Sequence, residues 1–190
     1  YIWDDKGRLI EINNSSGESS IKFAYDEDNN LIRREDGNGN ATTFTYDSNG
    51  NRLSETDALG FTKQYTYEST YNKLTSFTDK MGNLYTFVYN EYGDLLEEHG
   101  PLNYSRVFTY DDYGLTLTSA DANHNITSYT YDAYGNMISM TDPLGNSTTV
   151  QYSVIGLPIS IIKPDGGEIS YIYDDLQQLT QAIDPLDHVI

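Results

Sequence analysis

Acidic side chains are the most abundant groups in this sequence that could take part in chemistry. The 190 residues include 29 Asp and Glu against 11 Lys and Arg, which gives a net charge of −18. Paired carboxylates can act as general acid and base, but this requires a pocket that separates their pKa values. Twelve of the 19 Asp residues instead occupy two regularly spaced positions that are typical of turns. The sequence therefore predicts no catalytic residue, and we expect a protein that is not an enzyme.

Two acidic segments resemble the beginning of a calcium-binding loop, Asp36-Gly-Asn-Gly-Asn40 and Asp26-Glu-Asp-Asn-Asn30. An EF-hand loop requires a bidentate Glu at its twelfth position, where these segments have Asp47 and Gly37. The three His residues stand singly, without the spacing of zinc ligands: His99, His124 and His188. We therefore predict no metal site, no cofactor and no cofactor-binding residue, and we interpret the acidic segments as turns.

The charge of the chain narrows the choice of partners. A net charge of −18 repels the phosphates of nucleic acids and the surface of anionic membranes. No apolar run approaches the ~20 residues of a membrane-spanning helix. We predict neither nucleic-acid binding nor membrane insertion. The absence of cysteine excludes disulfides and leaves the redox compartment undecided.

An aromatic residue recurs every 21 or 22 residues along the whole sequence, and we call these residues the anchors. They are Trp3, Tyr25, Tyr46, Tyr67, Tyr89, Tyr110, Tyr131, Tyr152 and Tyr173. Two residues before each anchor lies another large apolar residue, which is aromatic in eight of nine cases. The set is Tyr1, Phe23, Phe44, Tyr65, Phe87, Phe108, Tyr129, Val150 and Tyr171. A period of two in β-favouring residues predicts a strand with both rings on one face.

Two turn motifs follow each anchor, and we assign a structural role to their Asp and Gly residues. The first motif is Asp-x-x-Gly, as in Asp47 to Gly50 and Asp132 to Gly135; the second comes ten residues later, as in Asp57 to Gly60 and Asp142 to Gly145. Asp at the first position of a type I turn accepts a hydrogen bond from the backbone two residues on. A residue with positive φ then closes a three-residue hairpin loop with a bulge.

A few positions depart from this pattern. Where Gly is missing from the closing position, Asn, Asp or His usually replaces it, and these residues tolerate positive φ better than others. Tyr71 and Gln177 do not fit, so we expect altered turns there. Two repeats contain one extra residue, one after Gly17 and one between Lys73 and Asp79. We predict that a β-bulge in residues 73–79 absorbs the second.

Each period thus predicts strand, turn, strand, turn, and the chain is expected to be all-β. Residues 1–190 should form a single array of about nine repeats and 17 or 18 short antiparallel strands, as one segment of a longer protein. No helix is required, since Tyr171 and Tyr173 keep the strand pattern where a helix could be drawn. The unpaired strands at the two ends should require further repeats, a cap or edge-to-edge self-association.

The motif Tyr-Asp-x-x-Gly-Asn, followed by Thr-Asp-Pro-Leu-Gly-Asn, resembles the YD repeat of the Rhs family. The best copies are Tyr131 to Met137 and Thr141 to Asn146. The family comprises bacterial Rhs and wall-associated polymorphic toxins, insecticidal toxin-complex components and teneurins. The resemblance covers essentially the whole chain, although family shells contain many more repeats than nine.

The resemblance implies a β-sheet ribbon that spirals into a hollow shell. In toxin members that shell encloses a C-terminal toxin domain, and in teneurins it is part of a cell-adhesion ectodomain. It thus implies a secreted or cell-surface protein whose partners are further repeats and an enclosed domain. Some members have a self-cleaving aspartyl protease element, but Asp184-Pro-Leu-Asp187 matches only the ordinary turn. The alternative is an interaction module that binds a glycan or a partner protein in cell-surface adhesion; for a glycan, the aromatic rows would stack against the sugar rather than pack on the sheet.

Overall fold

The computed structural model describes residues 1–13 and 20–190, which contain 18 β-strands and no helix. The all-β class is confirmed. The chain forms two compact units, Tyr1–Asn103 and Tyr104–Ile190. The first unit contains β1 (Ile2–Trp3), β2 (Leu9–Asn13), β3 (Ser20–Tyr25), β4 (Leu31–Glu35), β5 (Ala41–Tyr46), β6 (Arg52–Thr56), β7 (Thr62–Tyr67), β8 (Leu74–Thr78), β9 (Leu84–Tyr89) and β10 (Leu95–His99). The second contains β11 (Ser105–Tyr110), β12 (Thr116–Asp121), β13 (Ile126–Tyr131), β14 (Met137–Thr141), β15 (Ser147–Tyr152), β16 (Pro158–Ile162), β17 (Glu168–Tyr173) and β18 (Leu179–Ile183).

Within each unit every strand pairs antiparallel with the next strand in the chain. The loop after an anchor, which we call a first loop, joins the two strands of a hairpin such as β13 and β14. The other loops, which we call second loops, join one hairpin to the next, as between β14 and β15. All first loops of a unit therefore lie at one edge of its sheet and all second loops lie at the opposite edge.

Every hairpin contains a β-bulge beside its anchor. In β13 and β14, Thr130 lies opposite Ser139 and Tyr131 lies opposite Met137, so that Ile138 is an extra residue. The same shift in register occurs in the other hairpins of both units. Bulges bend a strand and increase its twist. The ribbon is thus bent once in every repeat, always on the first-loop side.

The prediction that a bulge in residues 73–79 absorbs the extra residue is wrong in its cause: these residues do contain a bulge, at Thr75, but it is the one that every hairpin has. Strand β8 pairs with β9 in an unbroken register, and the extra residue lies in the first loop after Tyr67. That loop closes with Asn72, at φ 54°, instead of Tyr71. Glu68 replaces the usual Asp, and its longer side chain accepts hydrogen bonds from the backbone of Thr70, Tyr71 and Lys73 at 2.6 to 2.9 Å. The insertion is accommodated by an enlarged turn, so the altered turn expected at Tyr71 is confirmed.

Most other loops close as the spacing predicts, with φ between 76° and 87° at the closing glycines. Asn29, Asn103, His124 and Asp187 also have positive φ. The prediction of an altered turn at Gln177 is wrong. The φ of Gln177 is 63°, and its N–H donates to the Asp174 carbonyl at 2.9 Å, as in the loops that close with glycine. The side chain projects into solvent, so the strain is limited to the backbone. The closing position at Gly17, and the extra residue after it, lie outside the described residues.

The two units are single-layered. Among the described residues no hydrophobic side chain is fully buried, and the one buried polar residue is Ser160, at 5% exposure. A sheet in a globular domain normally covers one face with a second layer. Here the side chains are held by their neighbours along the sheet, which is the arrangement of a repeat array in which each unit contacts only the next.

Candidate functional site

The anchors and the residues two positions before them lie on one side of the sheet in each unit, which we call the aromatic face. Alternation along β5 places Phe44 and Tyr46 on the same side, and Phe44 lies opposite Glu55. Rings stack across three strands, with centroids 5.3 Å apart for Tyr65 and Phe77 and 5.6 Å apart for Phe77 and Tyr85. The rings pack along the sheet instead of standing free of it.

Seven anchor hydroxyls donate a hydrogen bond to the backbone of the preceding hairpin. The Tyr131 hydroxyl donates to the Thr116 carbonyl at 2.9 Å. Seven anchors make this contact, at 2.8 to 3.0 Å: Tyr25 to Leu9, Tyr46 to Leu31, Tyr67 to Arg52, Tyr89 to Leu74, Tyr131 to Thr116, Tyr152 to Met137 and Tyr173 to Pro158. The acceptor is always the first residue of the second strand of that hairpin. We call this contact the anchor hydrogen bond.

The anchor hydrogen bond lies where successive hairpins have separated. Strands β12 and β13 pair only through Thr118, Ser119 and Ala120, close to the second loop. The Thr116 carbonyl lies beyond this paired region, and Tyr131 reaches it from the neighbouring hairpin. The phenol therefore supplies a donor where the backbone ladder has ended. A phenylalanine could fill the same space but would leave the carbonyl without this donor.

Burial accompanies this role of the anchors. It raises the pKa of the Tyr46, Tyr67, Tyr89 and Tyr131 hydroxyls above the ordinary value of 10.0. These groups therefore remain protonated, and able to donate, across the physiological range of pH.

The Asp residues of the turns accept hydrogen bonds from their own loops. Asp132 Oδ1 accepts from the backbone N–H groups of Tyr134 and Asn136, both at 2.9 Å. Its second oxygen accepts from the Asn136 side-chain amide at 2.9 Å. Asp47 and Asp142 make the same three contacts. At Asp57 the residue four positions on is Phe61, so only the two backbone contacts remain.

These contacts lower the pKa of the turn carboxyls. At Asp47, Asp132 and Asp142 the largest cause is the hydrogen bond from the Asn amide, and backbone donors add to it. One loop has the pair in reverse: Asn90 occupies the Asp position and donates through Nδ2 to Asp94 at 3.0 Å. Where both side chains are present, the amide and the carboxylate can therefore occupy the two positions in either order.

The same geometry bears on the other residues that could do chemistry. The Asp36 oxygens accept from Asn38 and Asn40, as the oxygens of Asp132 and Asp142 do in their own turns. His99 contacts Glu97 at 2.9 Å and His188 contacts Asp184 at 3.0 Å, both at the surface. In residues 1–13 and 20–190, no three metal-ligating side chains come together. No helix in that part of the chain is long and apolar enough to span a membrane.

The opposite side of the sheet, which we call the hydroxyl face, has rows of Thr and Ser. Cross-strand contacts join Thr45 to Ser54 at 2.6 Å and Thr109 to Thr118 at 2.6 Å. These residues lie one position before an anchor and on the paired strand. In these hairpins one face is therefore aromatic and the other hydroxylated, whereas other hairpins have Ala24, Val88 or Ile172 in place of the Thr.

Grooves recur beside the first loops, where hairpins separate, and residues of both faces line them. In the second unit, one groove of about 660 Å³ lies between Tyr113 and Tyr134, above Leu117 and Tyr131. A second groove of about 710 Å³ is lined by the corresponding residues one repeat later, including Tyr134 and Ile155. In the first unit a groove of about 460 Å³ lies at the equivalent place, beside Tyr71 and Tyr89. The grooves follow from the separation of the hairpins, which the sequence pattern did not reveal.

Comparison with known proteins agrees with this architecture. A family model described as Teneurin YD-shell matches residues 1–189. No curated protein sequence matches the chain. The crystal structure of TcdB2-TccC3-Cdc42 is similar, with a TM-score of 0.64 and 19% identity, over 93% of this chain and 12% of that one.

A second similar structure is the Photorhabdus luminescens Tc holotoxin pore with a mutation in TccC3. Its TM-score is 0.63 at 15% identity, over 100% of this chain and 12% of that one. At these identities the likeness shows the fold alone. The chain spans about an eighth of the length of the solved proteins it resembles, as the 12% coverage indicates.

Proposed function

Because the chain belongs to the teneurin YD-shell family, we propose that it is a non-enzymatic segment of a shell wall, part of a longer secreted or cell-surface protein, and that the complete wall encloses a C-terminal toxin domain. The mechanism is mechanical: each hairpin adds two strands to a bent ribbon, and the ribbon separates what it surrounds from the solvent. Its partners would be the remaining repeats and the enclosed domain.

The observation that carries this proposal is the single layer. A sheet whose described residues form no hydrophobic core, with both faces accessible in the isolated chain, is suited to a wall between two compartments. The recurrent bulge bends the ribbon in every repeat. The anchor hydrogen bonds join each hairpin to the one before it. All three features extend by simple repetition to a longer chain.

A catalytic role is not favoured by the electrostatics of the described residues. Hydrogen bonds within their own turns lower the pKa of ten turn carboxyls. A general acid that acts near neutral pH needs its pKa raised. These carboxylates are stabilised as anions and serve the turn.

Glycan binding by the anchor row is also not favoured. Seven anchor hydroxyls already donate hydrogen bonds to backbone carbonyls, and their rings are half-buried on the sheet. A sugar would have to compete with a contact that joins two hairpins. We therefore propose no second function for these rows.

Limited proteolysis of the complete natural protein tests the enclosure. The segment that follows the repeats should resist a protease that rapidly digests the same segment expressed alone. Replacing both Gly145 and Gly166 by Val, which disturbs two adjacent second loops at positive φ, should restore cleavage. The control replaces the exposed Leu144 by Asn and should leave the protection intact. Equal digestion of the segment in the natural protein and in isolation would refute enclosure.

A further inference from the structure

Two loops carry an Asn residue that is followed directly by glycine, at Asn38-Gly39 and at Asn49-Gly50. In such a pair the glycine nitrogen can approach the carbonyl carbon of the Asn side chain, because glycine has no Cβ to hinder it. Both Asn side chains are exposed to solvent. The two pairs are therefore candidate sites of deamidation, a covalent modification that needs water and no enzyme.

Deamidation exchanges an amide for a carboxylate in two steps. The glycine nitrogen forms a bond to the Asn Cγ and gives up its proton, and the side-chain nitrogen leaves as ammonia, which closes a succinimide ring. Water then opens the ring at either carbonyl and gives aspartate or isoaspartate. Both products carry a new negative charge. In isoaspartate the main chain also runs through the former side chain, so it is longer by a methylene group.

The backbone around the two pairs is the same. Gly39 and Gly50 each donate to the carbonyl of the first residue of their turn, at 3.0 and 3.1 Å. The N–H groups of Asn38 and Asn49 each donate to Oδ1 of their turn Asp at 2.9 Å. In both loops the glycine N–H has to leave its carbonyl before it can react. A difference in rate must therefore come from the Asn side chains and their surroundings.

The side chains of the two Asn residues differ in their contacts. Asn49 Nδ2 donates to Asn72 Oδ1 at 3.1 Å, across to the next first loop. Asn51 Nδ2 donates to the same oxygen at 3.1 Å, so that the three amides join two consecutive loops. The Asn38 side chain has no hydrogen-bond partner among the described residues. Asn49 must therefore break a hydrogen bond before its side chain can turn toward the glycine nitrogen, whereas Asn38 need not.

The loop of Asn38 also has more room and more backbone freedom. No atom lies within 4 Å of a Cβ added at Gly39, whereas a Cβ added at Gly50 would lie 3.6 Å from Asn30 Oδ1 of the preceding first loop. The residue before Asn38 is Gly37, so this loop contains a second residue without a Cβ. The reactive conformation should thus be easier to reach at Asn38.

Asn residues that follow a closing glycine are protected from the same reaction. Asn40, Asn136 and Asn146 donate through Nδ2 to their turn Asp at 2.8 to 2.9 Å. The residue after each of them carries a side chain, which hinders the approach of the backbone nitrogen. These amides are held both by a hydrogen bond and by their neighbour, so Asn38 is the more reactive position.

We propose that Asn38 is a site of spontaneous deamidation in the folded chain, and that isoaspartate at this position loosens the joint between two hairpins. Its loop joins β4 to β5, which pair through three residues on each strand, from Glu35 opposite Ala41 to Arg33 opposite Thr43. An additional methylene in so short a loop displaces the N–H groups that donate to Asp36. The modification does not depend on an enclosed domain and so goes beyond the wall function.

Peptide mapping by liquid chromatography and mass spectrometry, after incubation of the folded chain at mildly alkaline pH, measures the reaction at each Asn. Asn38 should be converted to aspartate and isoaspartate about fivefold faster than Asn49, since a hydrogen bond of about 1 kcal/mol holds the latter. In concentrated urea the two rates should become similar. Equal rates in the folded chain, a faster reaction at Asn49, or a difference that persists in urea would each overturn the proposal.

Two substitutions of Asn72 test the protecting contact. Asn72 has a φ of 54°, which Asp and Gly both tolerate better than other residues. Asn72→Asp keeps an oxygen that can accept from Asn49, so the reaction at Asn49 should remain slow. Asn72→Gly removes the acceptor, so Asn49 should react about as fast as Asn38, whose own rate serves as the internal reference. An unchanged rate at Asn49 in the glycine variant would overturn the explanation.

Hydrogen exchange tests the effect on the joint. The isoaspartate form of the chain should exchange faster than the unmodified form in β4 and β5, with unchanged exchange in β13 and β14. Asn38→Asp is the matched control, because it adds the charge without lengthening the main chain, and it should exchange like wild type. Equal exchange of the isoaspartate and unmodified forms in β4 and β5, or faster exchange in the Asp variant, would show that isoaspartate does not act as proposed.

Discussion

At the scale of single residues, the anchors combine two roles in one side chain. The ring covers the sheet. The hydroxyl donates to a carbonyl that lies beyond the paired region between successive hairpins. Phe satisfies the first role and is indeed found two positions earlier, at Phe44, Phe87 and Phe108. The requirement for a donor explains why Tyr follows at the anchor of each of those strands. The turn carboxylates similarly have a single local task, which is to accept hydrogen bonds from the loop.

Replacing Tyr131 by Phe should lower the free energy of unfolding by about 1 kcal/mol, the usual contribution of one hydrogen bond. Tyr134 offers a matched control three residues away, because its side chain is 89% exposed at the tip of the loop, between β13 and β14. Replacing it by Phe should leave stability within experimental error. Urea unfolding of the three proteins makes the comparison, and equal losses for the two variants would show that the anchor hydroxyl has no special role.

The reversed pair Asn90 and Asp94 predicts the outcome of an exchange at Asp132 and Asn136. Asp132→Asn should destabilise the loop because two amide groups then face each other. Asn136→Asp should destabilise it because two carboxylates do. The double variant should recover most of the lost stability, since it reproduces the natural reversed loop. Urea midpoints of the four proteins measure the coupling, and additive losses in the double variant would contradict it.

Acid should destabilise the chain below the ordinary aspartate pKa of 3.8. Asn amides and backbone N–H groups lower the pKa of Asp47, Asp132 and Asp142 in the folded state. The contribution of these carboxylates to the free energy of unfolding is therefore complete above pH 3.8. It is lost as the pH falls through their lower pKa in the folded state. Protonation also relieves the repulsion of a chain with net charge −18, which opposes the loss. We expect a lower urea midpoint at about pH 3 than at about pH 5; an unchanged or higher midpoint would mean that repulsion dominates.

At the scale of elements, the hairpin was predictable because its signals are local. Asp47 and Gly50 are the first and last residues of a four-residue segment and specify a turn. Phe44 and Tyr46 are two positions apart and specify one face of a strand. The bulge at Ile138 and its equivalents was not predictable in the same way, since no residue type marks it. The sequence pattern places the insertion near Tyr71 in a strand. It does not show that the Glu68 side chain can accept the backbone hydrogen bonds of a longer loop. The grooves likewise depend on the separation of hairpins, which is a long-range feature.

Substitutions of Gly145 measure how much a side chain at the closing position of a loop lowers the free energy of unfolding. Its φ is +85°, and no atom lies within 4 Å of an added Cβ, so a substitution meets backbone strain and no steric contact. Gly145→Val should cost about 1–2 kcal/mol or more, because a β-branched residue resists positive φ. Gly145→Asn should cost clearly less, as Asn29 holds the same conformation. Thermal or urea unfolding ranks the two variants, and an equal cost would contradict the conformational explanation.

At the scale of the whole molecule, the absence of a core in the described residues makes stability a sum over neighbours. Each hairpin contributes its own ladder, a short three-residue pairing to the next hairpin, and an anchor hydrogen bond. A sheet of this kind can be lengthened without redesign, which suits a wall. A destabilising substitution should therefore loosen only the neighbouring hairpins, whereas a globular domain unfolds as one unit.

Hydrogen exchange of the wild-type chain and of Tyr131→Phe, followed by mass spectrometry, tests the central claim that anchor hydrogen bonds hold a single-layered ribbon together. The account predicts faster exchange in β12 to β14, around the lost contact between Tyr131 and Thr116, with unchanged exchange in β3 to β6. A uniform acceleration in all strands, or no change in β12 to β14, would contradict it.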